Sequence, residues 1–343
     1  MKCQLRIVLA ALLFFNASAI ISAQNPATAT EPVAKISGQV LTLGELQAKE
    51  SGKLLQAQYQ YYLSERKALE EAIDNRLLED EARRKQMPLD RLLETEVYKD
   101  VKDPTEDQLE VYYEGLDTQE PYESVRGDVL QHIRELRRTK ARAAYVESLR
   151  KKAQINILLM PPTANVDTAT AFARGDKAAP VVLVEFADYQ CPYCQKVNSQ
   201  IQQLKKEYGD ALTVIYKDFP LPMHHSAQKA AEASRCAGEQ GKFWEYHDVL
   251  FYSKLIEPDE LKQHARTLKL DTDRFDTCLD NGTQAEAVKR DFDEGKSLGL
   301  TGTPSFFVNG HFFSGVVDYA ALKDVINQQL NAVAAKQQMV SKK

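Results

Sequence analysis

The sequence has no second close pair of cysteines. It holds five cysteines in 343 residues, and only Cys191 and Cys194 stand within four positions of each other. Structural zinc sites usually draw on two such pairs, so Cys191, Cys194, Cys236 and Cys278 make a poor zinc set. His247 could add a further ligand, but it belongs to a helical packing motif. No metal and no other cofactor is expected. A strong charge excess is also missing. The net charge of −5 is mild, and it turns more negative if Lys2 and Arg6 are removed, which gives no ground for a nucleic-acid partner. Beyond the first residues no apolar stretch is long enough to cross a membrane. Tryptophan occurs once, at Trp244, within Phe243-Trp244-Glu245-Tyr246, and reads as core.

What is present begins with an export pattern. Lys2 and Arg6 precede the apolar run Ile7 to Phe15, and small residues follow. Residues 1–23 therefore read as a cleavable signal peptide, cut after Ala19 or Ala23. The run is short for a membrane anchor, and Cys3 would leave with the signal. Four cysteines then remain. An even number in an exported protein suggests two pairs and an oxidising space, such as the periplasm or another cell-envelope compartment. The remaining chain is long enough for two domains and is expected to be soluble.

The first of these, residues 31–160, reads almost wholly as helix. Thr42-Leu43-Gly44-Glu45 and Thr105-Glu106-Asp107-Gln108 have capping-box spacing. Leu69, Ile73 and Leu77 form one apolar stripe, and Val125, Val129, Ile133 and Leu136 a second. Tyr59, Tyr61 and Tyr62 read either as packing contacts or as an adaptable surface for unfolded clients. The basic cluster Arg134, Arg137, Arg138, Lys140 and Arg142 reads as a solvated face. Residues Val33 to Thr42 suggest a short strand, a turn at Gly38 and a helix start. With Leu69 to Leu78 and Pro104 to Leu109, this pattern resembles the N-terminal domain of SurA-type periplasmic chaperones. The resemblance implies client holding or homo-oligomerisation. The isomerase domain of those chaperones has no counterpart, so isomerisation of proline is not implied.

Residues 161–180 are rich in proline, alanine, threonine and aspartate and read as a linker running into an edge strand. Strands then alternate with helices: Val181 to Phe186, a helix from Pro192 to about Tyr208, Leu212 to Tyr216, and a helical stretch from about Ser226 to Ser297. Ser305 to Val308 and His311 to Phe313 flank Asn309-Gly310, the strongest short hairpin signal. A last helix starts near Asp318. Cys191-Pro192-Tyr193-Cys194 sits where the first strand gives way to a helix. Such a CxxC has three readings: a redox dithiol, half of a zinc site, or a buried coincidence. Pro192 is tolerated in a first helical turn, and a helix N-terminus favours a thiolate, which supports the redox reading.

Three motifs occur in order: Val184 to Cys194, Gly241 to His247, and Gly302-Thr303-Pro304 to Gly310. In this order they resemble the DsbA-like form of the thioredoxin fold, placed at residues 181–335 and preceded by the helical domain. The resemblance implies an α/β thioredoxin fold with a helical insertion. It implies a thiol-disulfide oxidoreductase in which Cys191 is the nucleophile and Cys194 resolves the mixed disulfide. Pro304 would be a cis-proline facing the dithiol, and Thr303 would offer backbone to an extended substrate. Glu185 aligns with a buried acid that relays a proton to Cys194; its plain alternative is a strand-end residue satisfied by solvent. Asp188 and Tyr189 are expected at the rim of the site. His224 and His225 are read as a satisfied loop pair. Cys236 and Cys278 are expected to form a structural disulfide, the alternative being two free thiols. Tyr193 stands where the strongest family oxidants carry histidine, so a less oxidising dithiol is expected. Cysteine-containing envelope proteins are the expected clients, with a membrane or soluble redox partner. Disulfide donor is the first reading; isomerase, reductase, or a holdase with secondary redox activity are the alternatives.

Overall fold

The computed structural model describes residues 30–253 and 255–341; the signal expected at 1–23 and Cys3 lie outside them. The chain divides into two compact units, one ending at Glu50 and the other starting at Ser51. In the first, β1 (Pro32–Ile36) and β2 (Gln39–Thr42) pair antiparallel. Between the turn at Gly38 and the helix start lies a second strand, which was not expected from the sequence. Ser37 and Gly38 both take positive φ, which makes a two-residue turn whose twist suits a hairpin. Helix α1 (Leu43–Lys49) follows, and Thr42 and Glu45 form the capping box that the spacing predicts.

The second unit opens with α2 (Ser51–Arg84), α3 (Leu89–Leu92) running into a π-helical turn over Leu93–Val97, α4 (Glu106–Glu114) and α5 (Tyr122–Arg150). Thr105 and Gln108 form the second capping box, at the start of α4. Leu69, Ile73 and Leu77 are only half-buried. The fully covered residue is Leu78, against Val146 and Leu149. In the second stripe Val129 and Ile133 are buried with Leu109, whereas Leu136 is 51% exposed. In the basic cluster only Lys140 is exposed, and the four arginines are half-buried. Arg134 pairs with Asp103 and Arg138 with Glu94.

The five-stranded sheet follows. Strand β3 (Phe172–Arg174), from the expected linker, is an antiparallel edge on β5 (Leu212–Asp218). Parallel to β5 runs β4 (Val181–Ala187), and α6 (Pro192–Tyr208) connects the two. Five helices replace the single expected stretch from 226 to 297: α7 (Ala227–Gly238), α8 (Phe243–Ser253), α9 (Pro258–Thr267), α10 (Thr272–Asp280) and α11 (Ala285–Ser297). Strands β6 (Ser305–Val308) and β7 (His311–Ser314) then form a hairpin, and α12 (Tyr319–Ser341) closes the chain. The order β3-β5-β4-β6-β7 is a thioredoxin-like mixed sheet with a helical insertion, preceded by a mostly helical half. At the β6–β7 turn Asn309 and Gly310 both have positive φ. Asn309 also accepts from the Val182 N–H at 2.8 Å and donates to the Pro180 carbonyl at 3.1 Å. The turn thereby fixes the start of β4.

Two features tie α2 to this sheet. Leu55, Tyr59 and Tyr62 belong to the same buried core as Phe307, Phe312 and Leu322, and the rings of Tyr59 and Phe312 lie 5.0 Å apart. Two of the three tyrosines are therefore packing residues, and only Tyr61 is exposed. At the start of α2, Gly52 meets Gly299 backbone to backbone. A Cβ on Gly52 would lie 2.6 Å from the Gly299 nitrogen, and one on Gly299 would lie 2.3 Å from the Gly52 oxygen. Any side chain at either position forces the two segments apart.

A buried charge network fastens the helical insertion to β5. Lys217 Nζ contacts Asp291 (3.0 Å) and Glu294 (2.6 Å) of α11. Arg235 of α7 donates to both Asp218 and Asp291, and the Asp218 N–H donates to Asp291 at 3.2 Å. Cys236 of α7 and Cys278 of α10 are joined by a disulfide. Closing a loop of that length contributes about 3 to 4 kcal/mol on the chain-entropy model.

Candidate active site at the N-terminus of α6

The strand Val181–Ala187 is buried along nearly its whole length. At its end the chain turns through Asp188, Tyr189 and Gln190 into α6. Cys191 is the N-cap of α6, in extended backbone, with Pro192 at the first helical position. The Cys191 sulfur therefore sits beside free backbone N–H groups and the positive end of the helix dipole. Cys194, within the first turn of the helix, is fully buried, and both thiols are free. Tyr193, between them, is 60% exposed.

The peptide bond between Thr303 and Pro304 is cis. Cys191 Sγ donates to the Thr303 carbonyl at 3.5 Å, so the dithiol faces the loop before β6. The Thr303 hydroxyl is buried with no partner among the described residues. The site is thus assembled from one local segment, 188–194, and one segment over a hundred residues away in sequence.

The two thiols have opposite electrostatics. Cys191 is pushed down to about 5. The Cys194 thiol that hydrogen-bonds to it is the largest cause; Thr303 and the backbone N–H groups of Cys194 and Tyr193 add to it, against the cost of burial. Cys194 is pushed well up, first by burial and then by the neighbouring Cys191. One thiol is poised as a nucleophilic thiolate at neutral pH, while the other keeps its proton. A titration of thiolate ultraviolet absorbance on the reduced protein is expected to show a midpoint near 5. A midpoint near the free-cysteine value of about 8.5 would remove this polarisation. The folded value lies below the unfolded one. The stability Cys191 contributes to the reduced protein is therefore complete above about 9 and is lost as pH falls through about 5.

Glu185 lies beneath the dithiol on β4, paired in register with Tyr216 of β5. It is 3% exposed, and its Oε1 has no hydrogen-bond partner among the described residues. Burial raises it to about 8, so it holds a proton at neutral pH. The solvent-satisfied alternative does not fit this position.

Asp188 and Tyr189 are not rim residues. Both are buried, at 2% and 1% exposure. Asp188 accepts from the Gln190 N–H (2.7 Å) and the Leu221 N–H (2.8 Å), and its Oδ2 lies 2.6 Å from His224 Nδ1. Gln190 in turn accepts from the Ser226 N–H at 3.0 Å. The active-site turn is therefore latched to the loop after β5. A short aspartate ahead of a tight turn was the available signal, because its side chain readily bonds the backbone two residues on. Tyr189 stacks on Tyr216 at 5.1 Å and meets His247 and Phe251 of α8. His225 contacts Glu257 at 3.2 Å. Trp244 is half-buried, with the Arg174 guanidinium 4.4 Å over its ring. Among the described residues no group of three or more His, Cys, Asp or Glu side chains is placed to hold a metal ion.

Comparison with known proteins falls on the same half of the chain. Residues 167–328 match the thioredoxin family model. This half of the chain has a thioredoxin-like fold. Among curated proteins, the Na(+)/H(+) antiporter NhaA 3 of Salinispora tropica is 37% identical over 163 residues, covering 47% of this chain and 25% of that protein. NhaA of Herminiimonas arsenicoxydans is 33% identical over 177 residues, 51% of this chain and 28% of that one. The chain thus spans about a quarter of the length of these relatives. Among solved structures, oxidised BdbD from Bacillus subtilis is similar over 50% of this chain and 99% of its own, at 24% identity and TM-score 0.47. The thiol-disulfide exchange protein alpha-DsbA2 from Wolbachia pipientis is similar over 47% of this chain and 88% of its own, at 22% identity and TM-score 0.43. No described helix is long and apolar enough to cross a membrane.

Proposed function

We propose that this protein is an exported thiol-disulfide oxidoreductase that exchanges disulfides with cysteines of other envelope proteins through Cys191 and Cys194. The observation that carries the reading is the placement of Cys191. Cys191 is the N-cap residue of α6, its thiol is held low by its hydrogen bonds, and its sulfur faces the Thr303 carbonyl beside Pro304. In the donor direction, a client thiolate attacks Cys191 of the oxidised pair and Cys194 leaves with the electron pair. A second client thiolate then attacks the client sulfur of the mixed disulfide, and Cys191 leaves as a stable thiolate. Pro304 and Thr303 would present the extended client, Glu185 would supply the proton to Cys194, and Cys236–Cys278 would stay structural.

The value near 5 at Cys191 lies between about 3.5 for DsbA and about 7 for thioredoxin. It supports a donor that is milder than DsbA, with a potential between about −270 and −120 mV. The helical segment 31–160 would hold clients or join subunits. The curated antiporter names belong to far longer proteins and are not carried over. The direct test is to incubate the oxidised protein with a reduced two-cysteine peptide. One peptide disulfide and two enzyme thiols, at Cys191 and Cys194, are expected per exchange; peptide oxidation without new enzyme thiols would sink the reading.

A further inference from the structure

A Glu185 that has given its proton to Cys194 can be reprotonated from solvent only along a path through the fold, because it is sealed inside the sheet. One narrow cavity of about 10 Å³ borders it, lined also by Asn198, Trp244, His247 and Arg174 and, toward the surface, by Gln202 and Lys205. That volume is room for about one water. Three buried polar atoms on its walls lack partners among the described residues: Glu185 Oε1, Trp244 Nε1 and His247 Nε2.

Their chemistry is complementary. Asp248 is fixed by Arg174 through two contacts of 2.8 Å and lies 3.1 Å from His247 Nδ1. An ionised carboxylate only accepts, so Nδ1 carries the hydrogen and Nε2 is left as a bare acceptor. Burial lowers His247, which keeps the ring neutral. Trp244 Nε1–H is a donor, and protonated Glu185 is a second. One water between them can take both donors and give a proton to Nε2.

We propose that His247, with Trp244, positions the water through which Glu185 regains its proton, making His247 a positioning residue for the exchange at Cys194. This rests on the thiol-disulfide reading. The steps balance. As the client thiolate bonds to Cys191, the Cys191–Cys194 bond breaks and Cys194 leaves as a thiolate. Glu185 gives its proton to that thiolate, becomes a carboxylate and takes a proton from the water. The water is made whole from solvent past Gln202 and Lys205. The charged and titratable groups facing Glu185 are Cys194 and Lys205 from α6, Tyr216 from β5, Arg174 from β3 and His247 from α8.

The test is the pH profile of mixed-disulfide formation in His247→Phe, which keeps the ring packed on Tyr216 and Tyr189 but removes Nε2. The rate at neutral pH is expected to fall about tenfold, part of the roughly 10²- to 10⁴-fold a positioned acid contributes. The Cys191 titration should stay unchanged, and His247→Gln, which keeps an acceptor, should recover most of the rate. In a Glu185→Gln background His247→Phe should have no further effect. If His247→Phe does not fold, Trp244→Phe takes its place, with the same tenfold loss and the same silence over Glu185→Gln. A wild-type pH profile in the variant, or additive losses with Glu185→Gln, overturns the proposal while exchange itself stands. Absence of exchange in the wild type instead overturns the functional reading, and the proposal with it.

Discussion

Cys191→Ser is expected to abolish disulfide transfer, and Cys194→Ser to arrest it as a covalent adduct. The two sulfurs are not equivalent. Cys191 caps the helix and faces the Thr303 carbonyl, whereas Cys194 is fully buried and holds its proton. Serine at 191 leaves the pair without an attackable sulfur. Serine at 194 leaves Cys191 able to attack the disulfide of a client or redox partner, but removes the thiol that would attack Cys191 and free the bound protein. Non-reducing electrophoresis and mass spectrometry should therefore show client-sized adducts on Cys194→Ser, reversed by dithiothreitol and absent from the double variant. Because the adduct keeps both its redox partner and its clients attached, it also identifies them. Client oxidation persisting in Cys191→Ser would falsify the assignment of the nucleophile.

The largest loss of stability is expected at Arg235, on α7. Arg235 is 7% exposed and serves two buried carboxylates, Asp218 and Asp291. Burial already lifts Asp218 above the usual carboxylate range even with the guanidinium beside it. Removing the cation strands Asp218 and leaves Asp291 with Lys217 as its ion-pair partner, in a setting where an uncompensated charge typically costs about 3 to 5 kcal/mol. Arg235→Met should therefore lower the urea midpoint sharply without touching the Cys191 titration. The sign of its pH dependence follows from the same groups. Without Arg235 the folded Asp218 binds its proton to still higher pH than the unfolded one, so the variant's deficit should grow as pH rises. Equal deficits at pH 5 and pH 8 would mean that the carboxylates find another partner. Asp218→Asn and Asp291→Asn together in the Arg235→Met background should recover part of the loss.

What the sequence disclosed was mostly local. The strand into Cys191, Pro192 at the first helical position, the Thr42 and Thr105 capping boxes and the Asn309-Gly310 turn each depend on a few neighbouring residues, and each lies where its spacing puts it. The fold class came from the resemblance carried by Val184 to Cys194, Gly241 to His247 and Gly302 to Gly310 in that order. The misses were non-local or concerned burial. Lys217, Asp218, Arg235, Asp291 and Glu294 are scattered over three elements, and nothing in their spacing says that they meet. Asp188 and Tyr189 look like turn residues by composition, yet they fold under the loop that begins at Leu221. Leu136 continues a regular stripe but falls on the exposed side, because the covering residues from α4 end at Leu109 and Tyr112. Ser37 carries no hairpin signature of its own, so the second strand of the first unit could not be read. The tyrosines of α2 left two readings open, and the sheet takes two of the three.

The meeting of Gly52 and Gly299 gives α2 a mechanical character. A helix of 34 residues is a nearly rigid rod about 50 Å long. One end rests on the backbone four residues before Thr303, with no side chain between to yield. Leu55, Tyr59 and Tyr62 hold the first three turns on the sheet beside Phe312. A side chain at either glycine would therefore press the start of this rod against the segment that leads into the loop confronting Cys191.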